Sequence, residues 1–106
     1  MRATRGCLLV SNHGIVLALL AARPALTIRQ MADSLGITER QINRIVRDLE
    51  GAEFLSVTRS NLGNSYAVNL DAPFLHPSLR NKSVRPLVDA LAPFFREDGP
   101  GGESKS

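Results

Sequence analysis

Tryptophan is absent from this 106-residue chain, cysteine occurs once, tyrosine once and histidine twice. Cys7 by itself excludes an internal disulfide, and with only His13 and His76 to join it no four-ligand cage of cysteine and histidine can be built. No metal and no cofactor are therefore expected, and a cytoplasmic location is the default expectation. Cys7 reads as a small apolar packing residue, since Arg5 alone is thin support for a reactive thiol. Long apolar runs are missing too. The stretch CLLVSNHGIVLALLAA is broken by Ser11, Asn12 and His13 and falls short of the ~20 apolar residues a bilayer requires. A cleaved export signal is the competing reading, with Arg2 and Arg5 ahead of the run and Ala21-Ala22 behind it. His13 in mid-run argues against it, and Leu17, Leu19 and Leu20 have a better use in a core helix. Catalytic context is lacking as well. Asp71, His76 and Ser78 share one proline-rich linker with no nucleophile elbow or oxyanion-hole signature, so no enzyme is expected.

Charge of one sign is nearly balanced: thirteen Lys and Arg face ten Asp and Glu, for a formal net charge of +3. The excess lies in residues 1–70, where eight basic residues face five acidic ones. That bias permits a polyanionic partner without establishing one. With 43% apolar and 22% charged residues the chain has the composition of an ordinary globular protein, and its length supports one modest core. Only the last ten residues, EDGPGGESKS, are too polar and glycine-rich to pack, so 97–106 is expected to be a disordered tail.

The periodicities place four helices and a hairpin. Residues 12–22 read as a helix apolar on most sides, hence central, capped by Ser11 or Asn12 and ended by Arg23-Pro24. Thr27 caps a short second helix in which Ile28, Met31, Ala32 and Leu35 repeat at i, i+3, i+4 and i+7, and Gly36 supplies a left-handed stop. Thr38 caps a third helix, with Glu39 at its positive end, an apolar face running through Leu49 toward Ala52, and fraying expected near Gly51. FLSVTRS and SYAVNL, separated by NLGN, read as a β-hairpin over 54–70. Its alternation groups Leu55, Val57 and Arg59 on one strand, and Tyr66, Val68 and Leu70 on the other. DAPFLHPSLRNK is a proline-broken linker, after which Ser83 starts a last helix, with Pro86 in its first turn and Pro93 kinking or shortening its end. His13 reads as a helix-start or helix-surface residue, and His76 as a loop residue.

Within GITERQINRIVRDL, residues 36–49, a step of about 100° per residue gathers Arg40, Asn43, Arg44 and Arg47 within one arc and leaves Ile42, Ile45, Val46 and Leu49 behind them. Ala32, Gly36, Ile37, Ile42 and Ile45 also occupy the small-residue, turn and underside positions of a helix-turn-helix. On an isolated helix the arginines would be a solvated face beside Asp48 and Glu50. The preceding turn and following hairpin favour a surface built for a partner.

These residues resemble a family. Three helices followed by a hairpin wing look like the winged helix-turn-helix regulators of the MarR and ArsR type: TERQINRIVRDLEGAEFLSV is similar to their recognition helix running into the first wing strand, and GNSYAVNLDAP to the returning strand. The likeness covers roughly residues 12–72. It implies a mainly α fold with a small β-hairpin, residues 39–47 entering the major groove of double-stranded DNA, and the wing approaching the flanking backbone or minor groove. Arginine suits guanine edges and phosphates, and Asn and Gln suit adenine. On that basis Arg40, Gln41, Asn43 and Arg44 are expected to read bases, and Thr27, Thr38 and Arg47 to contact phosphate. The wing departs from the family pattern, because SNLGNS holds no arginine. Arg59 remains at its base, with Asn61 and Asn64 as weak hydrogen-bonding contacts.

The expected organisation is a winged domain over 1–72 and a linker with C-terminal helix over 73–96. The stripe of Leu87, Val88, Leu91, Phe94 and Phe95 either folds back on the first helix or pairs with its copy. Dimerisation is the expected use, and a two-fold dimer sets two recognition helices one DNA turn, ~34 Å, apart. The leading expectation is a homodimeric transcriptional regulator that binds DNA. The alternative is a winged helix that docks protein or RNA.

Overall fold

A computed structural model describes residues 10–74, 76–79 and 82–96. The expectations for Cys7 and for the tail at 97–106 lie outside the described residues. The elements are α1 (Asn12–Ala22), α2 (Ile28–Leu35), α3 (Glu39–Gly51), β1 (Leu55–Ser60), β2 (Gly63–Val68), a 3-10 turn at Pro77–Leu79, α4 (Arg85–Leu91) and a second 3-10 turn at Ala92–Phe95. The order helix, helix, helix, hairpin, helix is as expected.

Each of the first three helices starts where a side chain satisfies its free N–H groups. Ser11 Oγ accepts from the Gly14 amide of α1. Thr27 and Gln30 form a reciprocal capping box on α2, and Thr38 and Gln41 form another on α3. Two orphan donors are satisfied by each box, which holds the helix start against fraying. α2 stops at Gly36 in the left-handed region, φ 70°, with the Gly36 and Ile37 amides both donating to the Ala32 carbonyl.

α3 does not fray at Gly51. It runs through that residue and reverses at Glu53, which takes the left-handed conformation, φ 69°. The Phe54 amide donates to the Leu49 carbonyl and the Glu53 amide to the Glu50 carbonyl, the paired bonds of a Schellman stop. The reversal is displaced from the glycine because Phe54 must turn back onto the core, which it joins.

α1 is the centre of the domain. Val16, Leu17, Ala18, Leu19 and Leu20 are consecutive and all buried, because α3, α4, β2 and the second 3-10 turn pack around it. Met31 and Ala32 of α2, Ile42, Ile45, Val46 and Leu49 of α3, and Leu55 and Tyr66 of the hairpin close the same core. Each fully buried aliphatic side chain contributes about 1.5–3 kcal/mol. The apolar underside of α3 is therefore held firmly enough to set which way its other face points.

β1 and β2 pair antiparallel with Leu55 opposite Val68, Val57 opposite Tyr66 and Arg59 opposite Asn64, in the expected alternation. The turn is tighter than the NLGN reading: Asn61 and Leu62 alone connect the strands, and Gly63 opens β2 at φ 119°. The Tyr66 amide donates to the Pro24 carbonyl, so the α1–α2 connection covers part of the free edge of β2.

The linker after the hairpin is tied down. Val84 donates to the Ala72 carbonyl and Phe74 to the Lys82 carbonyl, and Arg85 Nη2 lies 2.8 Å from Asp71 Oδ1. This pairing corrects the expected start of the last helix. Ser83 bridges Pro73, and Val84 precedes α4 with no side-chain cap, the start being pre-set by Pro86 in the first turn. Pro93 shortens the helix as expected, since α4 ends at Leu91 and tightens into a 3-10 turn. α4 and that turn pack against α1. Val88 is buried and Phe95 joins the core, Leu87 and Leu91 are half-buried, and Phe94 stands 78% exposed. No helix among the described residues is long and apolar enough to cross a membrane.

Candidate nucleic-acid interface

The outer face of α3 follows from its inner one. With Ile42, Ile45, Val46 and Leu49 buried, Arg40, Asn43, Arg44 and Arg47 are all exposed on the opposite side. Together with Asp48 they line an open groove of about 660 Å³. Among the described residues Arg40, Arg44 and Arg47 have no carboxylate within ion-pair distance. Asp48, which lines the same groove, and Glu50 are each hydrogen-bonded to another element. Asp48 Oδ2 is 2.9 Å from Nε2 of His13 on α1. Glu50 accepts from Arg59 of β1 at both nitrogens, 3.2 Å at Nη2 and 3.4 Å at Nη1.

A second, narrower cleft of about 210 Å³ joins α3 to the wing. Asn43, Arg47 and Glu50 line it from α3, and Val57, Arg59, Asn64 and Tyr66 from the hairpin. Asn43 and Arg47 border both hollows, which makes the outward side of α3 and the stem of the wing one continuous surface. Arg59 does not enter it as a free cation. Its hydrogen bond to Glu50 and then the charge of that carboxylate raise its pKa further above the ordinary arginine value.

The other expected contact residues are placed as follows. Thr27 and Thr38 are exposed at the first turns of α2 and α3, but each hydroxyl already accepts from a backbone amide three residues on, at 3.0 Å. Gln41 Oε1 accepts from the Thr38 amide at 3.0 Å. The acceptor half of its carboxamide is therefore used locally, which leaves only its N–H donors to face outward. That use was legible in the T-x-x-Q spacing, repeated at 27–30 and 38–41. Asn43 Nδ2 donates to the Glu39 carbonyl at 3.2 Å, which leaves its oxygen as the available half. Asn61 is exposed at the turn of the wing, and Asn64 sits opposite Arg59 in the ladder. His76 and Ser78 hydrogen-bond, 2.8 Å between Nδ1 and Oγ, in a local turn, while the Asp71 carboxylate is engaged by Arg85. Among the described residues no cluster of His, Cys, Asp or Glu is grouped to hold a metal ion.

No family model matches the chain, and no curated protein does. Among solved structures it is similar to the crystal structure of the transcriptional regulator SlyA, with a TM-score of 0.55 at 12% sequence identity. The superposition takes in 89% of this chain and 62% of SlyA, so the chain spans less than two thirds of that protein's length. The fold is a winged helix-turn-helix. In this fold α2 and α3 form the helix-turn-helix around Gly36, β1 and β2 are the wing, and α4 with its 3-10 turn is the additional C-terminal segment. The pairing of Glu50 with Arg59 across helix and wing escaped the sequence reading. Nine residues separate the two, with a helix end and a reversal between them, so no single periodicity relates them.

Proposed function

We propose that this protein binds double-stranded DNA sequence-specifically, with α3 in the major groove and the wing beside it, as a small homodimeric transcriptional regulator. The observation that supports the reading is the set of exposed guanidinium groups at Arg40, Arg44 and Arg47, whose neighbouring carboxylates are held by His13 and Arg59. Arg40 and Arg44 offer bidentate donors to guanine edges, the outward oxygen of Asn43 accepts from adenine, and Arg47, nearer the wing, meets phosphate. Thr27 and Thr38 stand at helix N-termini, whose dipoles favour a phosphate.

Leu87, Leu91 and Phe94, the part of the C-terminal stripe outside the core, are the dimer surface in this reading. A two-fold pairing through them calls for an inverted repeat with half-site centres ~34 Å apart. Selection of bound sequences from random duplex DNA with the full chain tests both statements. Enrichment of an inverted repeat, with affinity that falls steeply between low and moderate salt, is the expected result. Absence of any enriched duplex refutes DNA recognition, and enrichment of single half-sites refutes the dimer.

A further inference from the structure

The tip of the wing carries an apolar side chain where turns ordinarily carry polar ones. From Ser60 to Leu70 the chain has no Asp, Glu, Lys, Arg or His. Leu62, one of the two residues of the turn, is 100% exposed, although Gly, Asn, Asp and Ser are the residues that turn geometry favours. The turn is braced. Ser60 Oγ donates to the Gly63 carbonyl at 2.9 Å and accepts from the Leu62 amide at 3.2 Å. Leu62 is thus held out on a stiff support, in the turn beyond the Ser60–Gly63 pair, which itself follows the Arg59–Asn64 pair that borders the α3 cleft.

The tip of the wing has no charge to draw it to phosphate. It offers a branched aliphatic side chain between two carboxamides, Asn61 and Asn64. The minor groove is complementary to that set. Carboxamide N–H groups donate to the adenine N3 and thymine O2 acceptors on its floor, and leucine is among the side chains that enter between base steps there, partly unstacking them and bending the duplex. The absence of carboxylates from the tip also removes repulsion from the closely spaced phosphates of a narrow groove.

We infer that Leu62 is an apolar wedge that enters the minor groove beside the half-site faced by α3 and partly unstacks one base step, with Asn61 and Asn64 donating to base edges next to it. The inference rests on the duplex-binding reading above. It adds a position of sequence preference that α3 does not touch. Pyrimidine–purine steps such as TA and CA/TG, which deform most readily, are favoured under the wing.

The test uses the full chain and a duplex recovered by selection, with 2-aminopurine placed singly at each step flanking the half-site. Wild-type protein raises the fluorescence at one flanking step. Leu62→Ala loses that rise and binds about tenfold more weakly per copy, while keeping the half-site preference, and Leu62→Phe restores the rise. Because Leu62 makes no core contact, these variants fold as the parent does. A wild-type complex with no fluorescence rise overturns the wedge. So does a Leu62→Ala protein that keeps the wild-type rise, whatever its affinity. In both cases recognition by α3 stands. Failure of the chain to enrich any duplex is a separate result and removes both readings.

Discussion

Replacing Glu50 by Gln probes the link between α3 and the wing most directly. In the parent the carboxylate holds both terminal nitrogens of Arg59, at 3.2 and 3.4 Å, on the border of the cleft that also receives Arg47. The amide keeps the shape and removes the charge, so each copy presents one additional uncompensated cation to the duplex. Counterion release gives a slope of about −0.9 per phosphate neutralised in log K against log salt, so the two copies of the proposed dimer steepen it by about 1.8. Across a fourfold change in salt, from about 50 to about 200 mM, the variant then loses about twelvefold more affinity than the parent. At the low end it binds more tightly. The assay is a salt titration of binding to one selected duplex, with Glu53→Gln alongside, which deletes the same charge without freeing an arginine and keeps the parental slope. The pair lies at the surface, so the melting curve of Glu50→Gln stays close to that of the parent. An unchanged slope, or one that Glu53→Gln matches, refutes the claim that Glu50 withholds Arg59 from the duplex.

Four further outcomes are expected. Arg44→Ala costs about 1–3 kcal/mol of binding to the selected duplex and relaxes preference at one base pair, whereas Arg47→Ala weakens all sequences alike and flattens the salt slope by about 0.9 per copy, both read by competition binding. Glu53→Gly raises stability by about 0.5–1 kcal/mol in urea denaturation, because φ 69° costs an L-residue about 1–2 kcal/mol and glycine returns part of that as chain entropy. Gly36→Ala, at φ 70°, lowers stability by about 1–2 kcal/mol. Phe94→Glu, at a position 78% exposed, lowers the solution mass to that of one chain in sedimentation equilibrium without lowering the melting temperature of the domain. A variant that keeps the parental mass removes Phe94 from the dimer surface.

Most of the fold is legible residue by residue. Ser11, Thr27, Thr38 and Gly36 mark helix ends through bonds that close within three to five residues. The arc of Ile42, Ile45, Val46 and Leu49 is enough to say which side of α3 faces inward. The C-terminal segment is less legible. Ser83 has the chemistry of a cap, yet it serves in a bridge to Pro73, because the linker ten residues earlier in the chain competes for it. The stripe at 87–95 is apolar on either reading. Only the packing of α4 on α1 decides that Val88 and Phe95 belong to this chain's own core and that Phe94 faces out.

The candidate site divides the same way. The sequence by itself determined that arginines lie along one face of a helix with an aliphatic underside, because a period of 3.6 residues and local hydrogen bonds depend only on near neighbours. Tertiary structure alone decided where the carboxylates beside those arginines find their hydrogen-bond partners. His13 reaches Asp48 across thirty-five residues and Arg59 reaches Glu50 from the wing, and such pairs depend on how elements cross in space, which no spacing along the chain encodes.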